Sequence, residues 1–157
     1  MLNRPWFVLI LFLLASVVVS AIGGIATATS VGSWYLTLAK PPWNPPSQVF
    51  GPAWTLLFAL MAIAAWRIWL RRDRPEARTA LWVYGAQLAL NAAWSILFFG
   101  LRSPGAALVE IVLLWSTLVW LLFRFWKIDR VAGVLWLPYV LWVTFATSLN
   151  AAIWHLN

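Results

Sequence analysis

The stretch WYLTLAKPPWNPPSQVFGPAW, residues 34–54, decides how the rest of the chain is read. Prolines at 41, 42, 45 and 46 stand among Trp34, Tyr35 and Trp43. Proline lacks an N–H and its ring clashes with the preceding helical turn. The stretch is therefore expected to be non-helical, a stiff connector of partly polyproline II character. Long apolar runs lie on both sides of it. A rigid aromatic loop between two such runs is expected to act as a lid.

Composition says what those runs are. Hydrophobic residues make up 64% of the 157, charged residues only 10%, and the mean hydropathy is +0.85. A soluble domain would carry about a quarter charged residues. At about 20 residues per helical span, the chain accommodates five spans: Trp6–Ala28, Val49–Leu70, Thr79–Leu101, Ala106–Trp126 and Ala132–Trp154. The expected fold is all-α, an integral membrane bundle of five helices forming one domain over 1–157, with the lid loop at 29–48. Arg4 and Val19-Ser20-Ala21 carry some marks of a cleaved signal, but the uncharged run exceeds a usual signal core, so it is read as a span.

The net charge of +7 does not call for nucleic acid, because the basic residues gather in two short loops. Arg4, Arg67, Arg71, Arg72, Arg74, Arg78, Arg124, Lys127 and Arg130 fall on one side of a five-span topology, and Lys40 and Arg102 on the other. The positive-inside rule then predicts the N-terminus inside, the C-terminus outside and the lid outside. There are no cysteines and one histidine, His155, near the end of the chain. No carboxylate pair, Ser/His/Asp set or phosphate-cradling glycine loop is visible. An enzyme is therefore not favoured, and neither a catalytic set, a metal nor a cofactor is expected. Of the 14 tryptophans, Trp6, Trp69, Trp126 and Trp154 suit the headgroup level; the rest need another role.

Polar residues at membrane depth mark where that role lies. Gln87 and Asn91 are four apart and share one face of span three with Trp94 and Phe98. Hydrocarbon offers an amide no partner, so this face points into the bundle, for an interhelical hydrogen bond or a ligand contact. Gly85, Ala89 and Ala93 lie about 200° around the same helix, a small-residue ladder suited to a dimer contact through lipid. Trp54, Phe58, Met61 and Ala65 form a stripe on span two. Trp142, Ala146, Leu149 and Asn150 form another on span five, after an expected break at Pro138-Tyr139. Three stripes mixing indoles, amides and small residues point to a shared pocket, since buried indole N–H groups need acceptors. Ser16, Ser20, Gly24 and Ala28 repeat every fourth residue on span one and read as a helix-packing seam. Glu110, the one carboxylate clearly inside a span, is either functional or turned to the interface.

The motifs WY-x₂-L-x-KPPW-x-PP (34–46), QLALNAAW (87–94) with FFG (98–100), AG-x-L-x-LPY-x₂-W (132–142) and ATSLN (146–150) resemble the translocator protein family, also known as the tryptophan-rich sensory proteins or peripheral-type benzodiazepine receptors. The resemblance covers nearly the whole chain in order. It implies a five-helix bundle, usually a homodimer, with a pocket closed by the first loop. It implies ligands such as protoporphyrin IX and benzodiazepine-type compounds, held as ligand and not as prosthetic group. By the resemblance Trp54 and Asn91 hydrogen-bond the ligand, Trp142 lines the pocket, Ala146 and Leu149 form its small and apolar wall, and Trp34 and Tyr35 are the loop's contribution. The animal members' sterol motif, a Tyr and then an Arg after LN, is absent here, where Asn150 is followed by Ala151, Ala152, Ile153, Trp154 and His155. A porphyrin-handling protein of a prokaryotic cell membrane is therefore expected, acting as receptor or sensor. The alternatives are a transporter of the same flat ligands, and light- and oxygen-dependent porphyrin degradation at a pocket indole.

Overall fold

The computed structural model describes residues 4–157. Five helices long and apolar enough to cross a membrane are present: α1 (Pro5–Ala28), α3 (Ser47–Trp69), α4 (Pro75–Ser95), α5 (Pro104–Ile128) and α6 (Arg130–Leu156). A single helical turn, α2 (Trp34–Thr37), lies in the first loop. The protein is an all-α membrane bundle. Proline starts α1, α4 and α5, where its missing N–H is unneeded and its φ is already helical.

The stretch 34–54 departs from the expected non-helical connector of partly polyproline II character, forming a helical turn at Trp34–Thr37 and entering α3 at Ser47. Trp34–Thr37 precedes the first proline by several residues, so nothing prevents a helical turn there. The prolines act only from 41 onward, where Asn44 N–H donates to Pro41 O at 3.0 Å in a tight turn. Nor does Pro138 break span five. Helix α6 runs through it, and Pro138 faces outward, where its ring does not disturb the packed face. The helices also outrun the apolar spans. Helix α4 begins at Pro75 within the charged loop, and Asp129 alone separates α5 from α6.

Asp129 makes that one-residue corner possible. It caps α6, accepting from Ala132 N–H at 3.0 Å. It also takes a two-pronged bond from Arg67, with Nε at 3.1 Å and Nη2 at 2.9 Å from its two oxygens. Burial alone would raise the Asp129 carboxyl, but the bonds from Arg67 and Ala132 and the charges of Arg67 and Arg71 outweigh it and hold the group below the usual carboxylate range. Helices α5 and α6 pack against each other more extensively than any other pair. Their interface, with α3 and α4, encloses a core around Met61, Tyr84, Leu118, Phe125, Trp136 and Tyr139. Trp136 is fully buried, its indole donating to Leu118 O at 3.1 Å.

Helix α1 is the least embedded of the five. At the arginine-rich end it is fastened to α3, with Trp66 Nε1 donating to Pro5 O at 2.8 Å. The opposite end of the bundle carries the lid.

Candidate functional site

Between α1, α3, α4 and α6, under the lid, lies a cavity of about 800 Å³. Its walls bring together three of the stripes read from the sequence. Trp54 and Phe58 come from α3, Asn91 and Trp94 from α4, Trp142, Ala146 and Leu149 from α6, and Tyr35 from the lid. The ring centroids of Trp54 and Trp142 are 6.4 Å apart in an edge-to-face arrangement, and Trp54 also meets Phe58 and Tyr139. Among the described residues neither the Trp54 nor the Trp142 indole N–H has a hydrogen-bond acceptor. Both indoles line the cavity, so a bound molecule with a carbonyl or carboxyl oxygen would satisfy them.

Asn91 is fixed by a string of three side chains. Its Nδ2 donates to the Tyr139 hydroxyl at 2.8 Å, and that hydroxyl donates to Gln87 Oε1 at 3.0 Å. Asn91 Oδ1 is thereby left for the cavity side as an acceptor. Rotating both amides reverses the string, with Gln87 Nε2 donating to the Tyr139 hydroxyl, that hydroxyl donating to Asn91 Oδ1, and Asn91 Nδ2 turned to the cavity. The wall can therefore meet either a donor or an acceptor on a ligand. Gln87 Nε2, which has no partner in the observed direction, gains one in the reversed direction.

Two expected site residues stand back from the cavity. Gln87 is fully buried behind Asn91 and acts through Tyr139. Trp34 packs edge-on against Phe98, ring centroids 5.9 Å apart, bracing the lid from behind. Lys40 lies over the Tyr35 ring at 4.6 Å and donates to Leu38 O at 3.1 Å. Glu110 does not turn to the interface. Both its carboxyl oxygens are buried without a partner among the described residues, and it does not line the cavity.

The lid is fastened at several points. Ser30 Oγ donates to Phe99 O at 2.6 Å and accepts from Arg102 Nε at 3.3 Å. Tyr35 OH donates to Asn44 Oδ1 at 3.1 Å; burial pushes this phenol above its ordinary value, and the bond to Asn44 pulls the other way. Asn157 clamps Ala39 through both its N–H and its carbonyl, each at 3.0 Å. Beneath, Phe98 and Phe99 belong to a π-helical turn, Ile96–Gly100, closed by Leu101 N–H donating to Ile96 O at 2.8 Å. The extra residue in that turn lets Phe98 stack on Trp94, 5.3 Å between centroids, while Phe99 meets Tyr35 at 5.6 Å.

Sequence reasoning missed Tyr139, Phe50, Phe145 and the α1 wall of Val19, Gly23 and Thr27. Tyr139 sits three residues before Trp142 on the same face, a signal masked by reading Pro138 as a break. The α1 ladder read as a packing seam is one only at Ser16, which is buried. Ser20, Gly24 and Ala28 are exposed and border the cavity, and a Cβ added at Gly24 would meet nothing within 4 Å.

Trp94 Nε1 donates to Asn150 Oδ1 at 3.0 Å, and Asn150 Nδ2 to Pro104 O at 2.8 Å, tying α4, α6 and the start of α5 at the lid end. Gly85 and Ala89 face away from the cavity, exposed on the outer side of α4, and Ala93 is half-buried.

The family model described as TspO/MBR family matches residues 11–155. The chain is 37% identical over 150 residues to Protein CrtK of Rhodobacter capsulatus, covering 95% of this chain and 94% of that protein. It is 37% identical over 160 residues to Tryptophan-rich protein TspO of Chlorobaculum tepidum, covering 99% of each. It is 35% identical over 159 residues to Translocator protein of Sus scrofa, covering 98% of this chain and 92% of that protein. Matched from one end of the bundle to the other, this chain belongs to the TspO/MBR family.

Proposed function

We propose that this membrane protein is a receptor or sensor for a flat, largely apolar ligand with polar ends, of the porphyrin or benzodiazepine type, taken up in the cavity under the first loop. What carries the reading is one observation: a cavity of about 800 Å³ whose walls combine unpartnered indole N–H groups with an amide held by Tyr139. Cavities for small molecules run from about 300 to 1,000 Å³, so this one suits a large plate better than a small metabolite. Trp54, Trp142 and Trp94 offer it ring faces and edges. Trp54, Trp142 and Asn91 offer hydrogen bonds to its polar groups. The ligand is held reversibly, not as a prosthetic group. The protein works as a homodimer through the small-residue face of α4, in a prokaryotic cell membrane, with the N-terminus inside and the lid outside.

The test is a protoporphyrin IX titration of purified protein followed by tryptophan quenching, beside Trp54→Phe and Asn91→Ala. Each variant removes one hydrogen bond worth about 0.5–1.5 kcal/mol, so each is expected to weaken saturable binding about two- to tenfold. Superimposable curves for all three proteins would refute the reading.

A further inference from the structure

The cavity is covered by the lid at one end and bordered by exposed small residues between α1 and α3. Above it, the lid is tied to the α4–α5 corner through Ser30, and to α6 through Asn157. Toward lipid, Ser20, Gly24 and Ala28 of α1 and Ser47, Gly51 and Thr55 of α3 all border the cavity, and all are exposed. Each trio repeats every fourth residue, so each is one helical edge, and the two edges are the jambs of a slot. A Cβ added at Gly24 or Gly51 would meet nothing within 4 Å, so these glycines do not serve close helix contact. The helices meet at the arginine-rich end, through Trp66 and Pro5, and toward the lid both border the cavity.

We propose that the ligand enters sideways from the bilayer, through the slot between α1 and α3, and not through the lid from water. This rests on the ligand reading above. The depth of the slot fits such a route. Gly24 and Gly51 each lie four residues from a lid-end helix terminus, about 6 Å at 1.5 Å per residue, near the boundary between headgroups and acyl chains. Ser20 and Thr55 lie one turn deeper. A flat apolar ligand with polar ends settles at that same boundary, polar ends to water and plate among the chains. It then faces the slot without first leaving the membrane. Small side chains at 20, 24, 28, 47 and 51 keep the opening wide enough for a plate.

Gly24→Leu and Gly51→Leu narrow the slot at positions where the added atoms find open space, so folding is retained. Each variant is reconstituted in lipid nanodiscs, and protoporphyrin IX association and dissociation are followed by stopped-flow tryptophan quenching. Both rates are expected to fall together, by about tenfold or more, while the equilibrium constant stays within about threefold. The double variant Ser30→Ala/Asn157→Ala, which removes the ties to the α4–α5 corner and to α6 together, is expected to leave both rates unchanged. Unaltered rates in the leucine variants would overturn the lateral route, as would a tenfold acceleration on releasing the lid. Loss of affinity with an unchanged association rate would overturn it too, by making the glycines part of the binding wall. Absence of saturable binding in the unaltered protein is a separate result, and it would sink the ligand reading itself.

Discussion

Tyr139 carries one hydroxyl hydrogen and serves two amides, so removing its oxygen unpairs both. Interhelical hydrogen bonds within membranes average about 0.6 kcal/mol each and reach about 1.7. Tyr139→Phe is therefore expected to cost about 1–2 kcal/mol in unfolding by SDS titration. Ligand affinity should fall as well, because Asn91 loses the contact that fixes its amide; unchanged affinity would mean that Asn91 is positioned by something else. At the other end of the bundle, Asp129 is the buried member of its pair with Arg67. Asp129→Asn keeps a capping oxygen but leaves the guanidinium uncompensated, at an expected cost of about 2 kcal/mol at neutral pH. The carboxyl is held low in the folded state, so its contribution is fully present above the unfolded value of about 3.9 and is lost as pH falls through the lower folded value. The stabilities of Asp129→Asn and the unaltered protein should thus converge only in acid below about pH 4, and convergence near neutrality would contradict the ion pair. Asn91 and Gln87 were legible from the sequence as one polar face. Which of them touches the cavity was not, because that depends on how far Tyr139 reaches across from α6.

At the scale of elements, the closest approach at any glycine is at Gly133. A Cβ there would lie 2.7 Å from Trp126 Cε3 and 3.0 Å from its Cα. A ring can turn aside, but the α5 backbone cannot without opening the largest helix interface in the bundle. Gly133→Ala is expected to destabilise by about 1–3 kcal/mol, against the usual helical preference for alanine of up to about 1 kcal/mol. Gly24→Ala, with open space around its Cβ, is the matched control and should be neutral or slightly stabilising in the same SDS titration; equal effects would show that packing at Gly133 is not tight. Two glycines in apolar helices look alike in sequence. The partner helix decides which is a contact and which is a gap, and that is why the ladder on α1 read as a seam. The helix ends were misjudged for a related reason. About 20 residues cross the hydrocarbon, whereas α5 and α6 have 25 and 27. The turns where they meet carry Lys127 and Arg130, which hydropathy reads as loop.

For the whole molecule, the number and order of spans were legible because apolar runs between charged or proline-rich breaks leave little alternative. The cavity between the helices was not, since small residues on α1 and α3 look in sequence like a packing seam and instead border it. The face of α4 turned from the cavity follows from geometry alone. Once Asn91 and Gln87 point inward, residues about 200° away must point outward. Trp82, 83% exposed, with Gly85, Ala86 and Ala89, forms that outward face. In lipid such a face has no hydrophobic force to bury it, so association depends on close backbone approach and dispersion across small residues. Leucine at position 89 would hold a second helix away along that strip while leaving the cavity wall, on the far side of α4, untouched. If two copies meet here, Ala89→Leu should shift the protein from dimer to monomer in detergent light scattering, with protoporphyrin IX affinity unchanged. A dimer that persists would place the contact on another face, and affinity lost together with the dimer would mean that the partner copy helps to complete the cavity.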